Sequence, residues 1–282
     1  MHNKFAQVCK KFCSDFLEGD FFGLAAEMSF YLLSCFLPMI IFVFTIASSI
    51  SQSFTDTVLS VLGVLPDKIA KLLVKMLVSR TRSSIVIITT GAFSIFSVSG
   101  FILTLKKGLD RFYGVKNNTH FIINQIKAIF FAFFIFISII ASVGLIIFGK
   151  LIAETIFAIP KISYLLPVWN ISRYVVILIF IVFVVSALFK ALPSKKLKIY
   201  EVIPGAAITT LAWYVTSMLF ALYVNNFPQY EIIYGSLAGF ACLIMWIYIT
   251  GMVMVGGAKI NSMIYNKNIK RKEETSKDIH PD

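Results

Sequence analysis

The sequence predicts an all-α membrane protein, a polytopic bundle of about six transmembrane helices, and three observations support this fold class. Hydrophobic residues make up 58% of the 282 residues and charged residues only 14%, whereas soluble domains average about 45–50% apolar and roughly 25% charged. The mean hydropathy is +0.85. Several apolar stretches reach the ~20 residues that a helix needs to cross the hydrocarbon core. An ordinary soluble domain is therefore excluded.

The first predicted span covers residues 24–50 and contains one charged residue, Glu27. The segment before it has no continuous apolar core and no small-residue cleavage site, both of which a signal peptide needs. We therefore expect this span to remain in the mature protein. Two other segments, at about 4–18 and 66–82, have apolar residues at helical spacing with lysines between them. Both are predicted to be amphipathic helices at the membrane interface.

Five further spans are predicted at residues 85–105, 128–149, 174–192, 202–224 and 232–258. The second span is rich in Gly, Ser and Thr, which let helices approach closely in lipid, so we place it inside the bundle. The third span is dominated by Phe and Ile and is expected to face lipid. Pro193 should end the fourth span, and Pro204 should fit the first turn of the fifth.

The spans form a single transmembrane domain, residues 1–262, followed by a polar, basic tail at 263–282. The composition of the tail predicts disorder beyond Lys270. Of the 26 Lys and Arg residues, 17 lie in segments on the N-terminal side of the membrane and 8 on the opposite side, with Lys127 at a boundary. The positive-inside rule then predicts that both termini are cytoplasmic and that the chain is a multi-pass protein of the cytoplasmic (inner) membrane.

This asymmetry also explains the net charge of +12, which in a soluble protein would indicate nucleic-acid binding. Basic segments that flank membrane spans attract anionic lipid head groups. We therefore expect membrane lipids as partners, with anionic head groups at the basic cytoplasmic loops, and no nucleic acid.

Glu27 is the first candidate for a functional side chain, because a charge inside a span costs about 2.5–3.5 kcal/mol on insertion scales. Tyr31, Ser34 and Pro38 follow at helical spacing on approximately the same face. A proline inside a helix frees a backbone carbonyl and can kink the helix, and broken helices form the sites of many transporters. The four residues are candidates for an intramembrane pathway. The alternatives are an interfacial Glu27 and a kink that serves packing alone.

A second candidate lies in the connection 225–236, which is uncharged apart from Glu231. Tyr230, Tyr234 and Ser236 are candidates for an external mouth, and the alternative is an aromatic belt followed by a turn. The acidic residues are scattered, the three histidines are unpaired in sequence, and neither GxSxG nor HExxH occurs. We therefore expect no catalytic residues, no metal, no cofactor and no enzymatic activity.

Two stretches resemble the YihY / virulence factor BrkB family of inner-membrane proteins. They are LAAEMSFYLLSCFLP at 24–38 and the segment 203–262, which includes IPGAA, YGSLAG, WIY and GGAKINS. LDRFYGVKNN at 109–118 is a weaker third match, and Lys259 stands where the family more often has Glu. The resemblance implies a bundle of about six helices in the cytoplasmic membrane. Some members once carried a ribonuclease label, and a few are linked to lipid or lipopolysaccharide export.

These observations predict a transporter or a lipid flippase-like carrier. The prediction depends on the six spans, the absence of a sizeable soluble domain, the intramembrane acid, and helices interrupted by Gly and Pro. No G-x-x-x-x-G-K-[ST] nucleotide-binding loop is present, so energy would come from an ion gradient or a partner. The alternative is a non-catalytic membrane scaffold or partner subunit. A ribonuclease is the least supported interpretation, because it needs clustered carboxylates that the sequence does not provide.

Overall fold

The computed structural model describes residues 20–50, 84–116, 120–156, 166–226 and 238–279. Its six helices are α1 (Phe21–Ile50), α2 (Ser84–Phe112), α3 (Phe121–Ile156), α4 (Leu166–Ala191), α5 (Ile199–Asn226) and α6 (Ala238–Ile279). Within those ranges the regular secondary structure is entirely helical, which confirms the all-α prediction. The predicted interfacial helices at 4–18 and 66–82 lie outside the described residues.

Each helix overlaps one of the predicted spans. Four stretches in the described part of the chain are long and apolar enough to cross a membrane: Ile88–Phe112, Phe121–Ile139, Ile199–Val224 and Gly239–Lys267. Two shorter apolar stretches, Phe21–Phe36 and Val175–Ala191, lie in α1 and α4. The chain is thus a helical membrane protein, while the number of crossings and the cytoplasmic termini stay predictions.

Helix α2 is more buried than the other candidate spans, as its small residues predict. The apolar stretch of α2 is 56% buried, whereas those of α3, α5 and α6 are 28%, 11% and 22% buried. Ser94 and Ser97 are buried within α2, where short side chains allow neighbouring helices to approach. On α3, Phe130 and Ile137 are 67% and 64% exposed, which agrees with a helix that faces lipid.

The helices group into two compact units. Unit 1 comprises Met1–Thr104 and Tyr214–Val253, and unit 2 comprises Leu105–Trp213 and Met254–Asp282. Helix α1 therefore belongs to unit 1, and helices α3 and α4 belong to unit 2. Helices α2, α5 and α6 each contribute residues to both units. In unit 2, α3 packs against α4.

Helix α2 ends in a Schellman motif that needs a glycine. Gly114 has a φ of +65°, a left-handed conformation that glycine adopts without steric penalty. The Gly114 N–H donates to the carbonyl oxygen of Arg111 at 3.1 Å, and the Val115 N–H donates to that of Asp110 at 2.9 Å. These two bonds satisfy carbonyls at the helix end and fix the position of Tyr113, which directly follows the last residue of α2.

A short turn, residues 192–198, joins α4 to α5. Helix α4 ends at Ala191, two residues before Pro193, as predicted. The Lys198 N–H donates a 2.7 Å hydrogen bond to Oε2 of Glu201, an arrangement in which an acidic side chain in the first helical turn reaches back to the N-cap. Helix α5 consequently begins at Ile199, and its first turn is defined by this cap.

Two sequence-based predictions are wrong. Because α5 begins at Ile199 and not at residue 202, Pro204 lies in its second turn. The tail is also not disordered beyond Lys270, since α6 continues to Ile279. Residues 266–279 are rich in Lys, Arg and Glu, which have high helix propensity. The sequence also places Glu273 four residues before Lys277, a spacing that favours helix.

Candidate functional site

The first candidate site lies in unit 1, where Glu27 of α1 meets Thr104 of α2. The Thr104 hydroxyl donates a hydrogen bond of 2.9 Å to Oε1 of Glu27. Thr104 is only 2% exposed, and Glu27 is half-buried. Glu27 therefore faces a neighbouring helix, where a buried donor offsets part of the free-energy cost of placing a carboxylate in a span.

Tyr31, one turn further along α1, packs on the backbone of α2. A Cβ atom at Gly100 would collide with the Tyr31 ring, so the ring occupies space that only a glycine leaves open. Further along, a Cβ at Gly91 would lie 2.8 Å from a ring carbon of Phe42. Contacting residues rise in number along α1 while their partners fall in number along α2, so the two helices run antiparallel.

Ser34 and Pro38 complete the predicted pathway residues. The Ser34 hydroxyl donates at 2.8 Å to the carbonyl oxygen of Phe30 in its own helix. Pro38 is half-buried, and α1 is continuous through it from Phe21 to Ile50. Glu27 and Tyr31 therefore contact α2, whereas Ser34 bonds within its own helix. The predicted mouth residues Tyr230, Tyr234 and Ser236 lie outside the described residues.

Helix α1 also packs closely on α6 within unit 1. A Cβ at Gly251 would lie 2.7 Å from both the Ala25 carbonyl oxygen and the Ser29 hydroxyl. The Ser29 hydroxyl donates at 2.5 Å to the Ala25 carbonyl oxygen and lies 3.4 Å from the carbonyl oxygen of Ile247. Small residues thus bring the two backbones together, as is typical of helix contacts in lipid.

Beside this contact, α1 and α6 form an open groove. Its volume is about 260 Å³, and it is lined by Ala26, Ser29, Phe30, Leu33, Ile244, Ile247 and Tyr248. The lining is almost entirely apolar. Phe30 is 65% exposed and Ile244 is 41% exposed, so the groove opens to the surroundings of the protein. The groove lies on a different face of α1 from Glu27 and Tyr31. No sequence pattern singled out this face.

A separate polar cluster in unit 2 fixes the turn 192–198 to α2. Nζ of Lys106 lies 2.5 Å from Oδ2 of Asp110, and both side chains are more than nine-tenths buried. The Ser194 N–H donates to Oδ1 of Asp110 at 2.6 Å, and the Ser194 hydroxyl donates to Oδ2 at 3.0 Å. Lys106 also donates to the Ser194 hydroxyl at 3.0 Å. Each ion in this buried pair therefore has a further hydrogen-bond partner, which such pairs require.

Tyr113 and Asn261 form a second buried polar contact in unit 2. The Asn261 amide Nδ2 donates to the Tyr113 phenol oxygen at 2.7 Å, and Oδ1 of Asn261 has no hydrogen-bond partner among the described residues. A Cβ at Gly205 would collide with the Asn261 side chain. Burial raises the pKa of Tyr113 from 10.0 to about 12, against a smaller lowering effect of the Asn261 hydrogen bond. The phenol therefore stays neutral across the physiological pH range.

Sequence reasoning identified Glu27 but missed its partner and the unit 2 contacts. Thr104 was included only in a span described as rich in small polar residues. Lys106 and Asp110 are four residues apart on a helix, a spacing that could have indicated an ion pair. Tyr113, Gly205 and Asn261 lie in two of the stretches that carry the family resemblance, but no local pattern indicates that they meet.

Comparison with known proteins connects this fold to a membrane protein family. The model of the family described as virulence factor BrkB matches residues 12–280. The ribonuclease-like protein YfkH of Bacillus subtilis is 30% identical over 247 residues, which cover 86% of this chain and 90% of YfkH.

Two proteins named UPF0761 membrane protein match shorter parts. The protein of Pseudoalteromonas translucida is 34% identical over 91 residues, which cover 32% of this chain and 30% of that protein. The protein of Vibrio parahaemolyticus is 25% identical over 178 residues, covering 62% and 54% respectively. No solved structure matches the chain.

Proposed function

The chain belongs to the virulence factor BrkB family of membrane proteins, and from this premise we propose that it is a lipid flippase-like carrier. One observation supports the proposal most directly: an open apolar groove lies on one face of α1, within a turn of the hydrogen-bonded carboxylate Glu27 on the adjacent face. A carrier of lipids needs an apolar surface that contacts the acyl chain and a polar group within the membrane that contacts the head group.

The dimensions of the groove favour part of a lipid over a whole solute. Pockets for drug-sized ligands have volumes of about 300–1,000 Å³ and enclose most of the ligand, whereas this groove is open and measures about 260 Å³. Its exposed apolar rim, formed by Phe30 and Ile244, is suited to an acyl chain that enters from the bilayer. The Ser29 hydroxyl and the Tyr248 side chain are the polar groups of its lining.

In this proposal Glu27 is the polar group that contacts the lipid head group within the membrane. Its carboxylate is half-buried beside Thr104, about 9 Å along α1 from Phe21 at 1.5 Å per residue. A polar head group that passes along α1 would meet a hydrogen-bonding carboxylate instead of hydrocarbon, which lowers the free energy of its crossing.

We further propose that the chain crosses the cytoplasmic membrane several times with both termini inside. Reporter fusions at both termini test this orientation.

The function is tested with fluorescent lipid in proteoliposomes that contain the purified protein. Leu33→Trp fills the groove with a large ring and should slow the movement of lipid between leaflets at least ten-fold. Ile137→Trp is the matched control, because it adds the same ring on the exposed face of α3. Equal rates for both variants, or no lipid movement with the wild-type protein, would overturn the proposal and favour the scaffold alternative.

Glu27→Gln tests the carboxylate without removing its acceptor oxygen. The Gln side chain can still accept the hydrogen bond from Thr104, so we expect the unfolding midpoint to change little. Lipid movement should fall at least ten-fold if the charge acts on the path. A variant with normal stability and normal lipid movement would show that Glu27 has a structural role alone.

We also propose that the protein is not an enzyme. The described residues contain no group of three His, Cys, Asp or Glu side chains that could hold a metal ion, and Asp110 and Glu201 of unit 2 already accept hydrogen bonds from the protein. The name of YfkH makes ribonuclease activity the alternative to test. Purified protein incubated with RNA and Mg²⁺ should leave the RNA intact, and protein-dependent cleavage would contradict this part of the proposal.

A further inference from the structure

Unit 2 carries a strong excess of positive charge. The sequence of this unit contains 18 Lys and Arg residues and seven Asp and Glu residues. The Asp110 carboxylate pairs with Lys106 and accepts a hydrogen bond from the Ser194 N–H. The Glu201 carboxylate accepts a hydrogen bond from the Lys198 N–H. Basic residues therefore outnumber acidic residues in this unit.

The turn 192–198 holds three of these lysines in a fixed backbone. At its start, both the N–H and the hydroxyl of Ser194 donate to the buried Asp110. At its end, the Lys198 N–H is bound by Glu201. Lys195 and Lys196 lie between the two anchors, so their backbone positions are set by the fold and do not depend on a ligand.

The ammonium of Lys195 is positioned by two tyrosine rings. Its Nζ lies 4.4 Å from the centroid of the Tyr265 ring and 5.9 Å from that of the Tyr113 ring. The two rings pack edge to face, with centroids 5.6 Å apart and an interplanar angle of 82°. Cation–π contacts at these distances orient an ammonium group, and the rings leave its formal charge in place.

Lys195 differs from its neighbours in two respects. It is half-buried, whereas Lys196 and Lys198 are exposed. It also has no carboxylate within salt-bridge distance among the described side chains, in contrast to Lys106, which pairs with Asp110. A positioned, half-buried ammonium group that has no carboxylate partner among the described side chains is a suitable partner for an anion.

We propose that Lys195 is a binding site for the phosphate of an anionic phospholipid head group. The turn directly joins two apolar helical stretches, Val175–Ala191 and Ile199–Val224, so it lies at a membrane surface where lipid phosphates are concentrated. Tyrosine side chains are typical of that depth, and each basic side chain near an anionic surface adds to the attraction. The site does not depend on the transport proposal and would exist in a scaffold as well.

The test is a titration of the full-length protein, purified in a neutral detergent, with phosphatidylglycerol. A ligand that binds the folded state raises the unfolding midpoint, so the midpoint as a function of lipid concentration yields an apparent Kd. Lys195→Gln should raise this Kd about ten-fold. Lys196→Gln removes the same charge from the adjacent exposed residue, and it should raise the Kd at most about two-fold because exposed charges are screened.

A second pair of variants tests the ring contact with Lys195 left in place. Tyr265→Phe keeps the ring and should bind like the wild-type protein, whereas Tyr265→Leu removes the ring and should raise the Kd several-fold. This pair keeps the proposal testable if Lys195→Gln does not fold. Phosphatidylcholine and inorganic phosphate are the comparison ligands, and neither should shift the midpoint at the concentrations at which phosphatidylglycerol acts.

Three results would overturn the proposal. An equal increase in the Kd for phosphatidylglycerol in Lys195→Gln and Lys196→Gln would show a diffuse positive surface with no site at Lys195. Equal stabilisation by phosphatidylcholine would show that the negative charge of the lipid is not recognised. Equal stabilisation by inorganic phosphate would assign the site to a free anion and not to a lipid. None of these results affects the lipid-movement assay, so this proposal and the proposed function fail independently.

Discussion

The side-chain amide of Asn261 donates a 2.7 Å hydrogen bond to the phenol oxygen of Tyr113, a residue 148 positions earlier in the chain. Both side chains are buried, and Gly205 of α5 leaves the space that Asn261 occupies. The contact thus brings together the end of α2, the start of α5 and the later part of α6 within unit 2. Each of the three residues lies in a stretch that resembles the BrkB family, so the resemblance coincides here with a packing contact.

Tyr113→Phe should make unfolding less dependent on alkaline pH. Burial raises the pKa of Tyr113 in the folded state from 10.0 to about 12. Between these values the unfolded chain releases the phenolic proton and the folded chain keeps it, so stability falls as the pH rises, by up to about 1.4 kcal/mol per pH unit for one group. The phenylalanine variant should lack this loss.

The measurement is the unfolding midpoint in detergent across that pH range, with the ultraviolet absorbance of phenolate recorded in parallel. Below pH 10 the variant should be less stable than the wild-type protein by about 1–3 kcal/mol, because the buried Asn261 amide loses its acceptor. A Tyr113 that titrates near pH 10 in the folded protein would contradict the burial argument.

Asp110→Ala should be the most destabilising change in the Lys106–Asp110–Ser194 cluster. It removes the acceptor of three hydrogen bonds and leaves a buried ammonium without its carboxylate, which typically costs about 3–5 kcal/mol. Ser194→Ala keeps the backbone donor and loses only the hydroxyl, so its cost should be about 1 kcal/mol. Unfolding midpoints of the two variants check this order, and a Ser194→Ala variant as unstable as Asp110→Ala would contradict it.

Gly100→Ala should destabilise the protein through the Tyr31 ring. The added Cβ would collide with three atoms of that ring, and overpacking of this kind costs about 1–3 kcal/mol. In a Tyr31→Ala background the ring is absent, so the same substitution should cost little. The double-mutant cycle measures the coupling between the two positions. Additive effects would show that α1 and α2 do not meet at this point.

Thr104→Val should affect both stability and lipid movement, whereas Thr104→Ser should affect neither strongly. Valine has nearly the same shape but cannot donate to Glu27, which leaves a half-buried carboxylate without this donor and should cost about 1–3 kcal/mol. Serine keeps the hydroxyl that donates at 2.9 Å. Unfolding midpoints and the proteoliposome assay test the pair. A Thr104→Val variant that behaves like the wild-type protein would show that the hydroxyl donor is not needed.

Several features of the fold follow from local sequence. Each helix contains one of the apolar stretches, because crossing a bilayer requires about 20 apolar residues whatever the rest of the chain does. The burial of α2 follows from its Gly, Ser and Thr content. The prediction from composition was wrong for the tail, where helix propensity extends α6 to Ile279. The predicted start of α5 was also wrong, because the Glu201 side chain caps the helix at an earlier residue than the apolar pattern indicates.

The sequence by itself determined that this is a helical membrane protein, where its helices lie, and that Glu27 is an unusual charge within a span. Only the tertiary structure decided that Glu27 meets Thr104, that Asn261 meets Tyr113, and that the groove lies on the neighbouring face of α1. The physical reason is that membrane helices are apolar on nearly all sides, so no hydrophobic force specifies which face turns inward. The rotation and register of each helix are set by packing against residues that are distant in the chain.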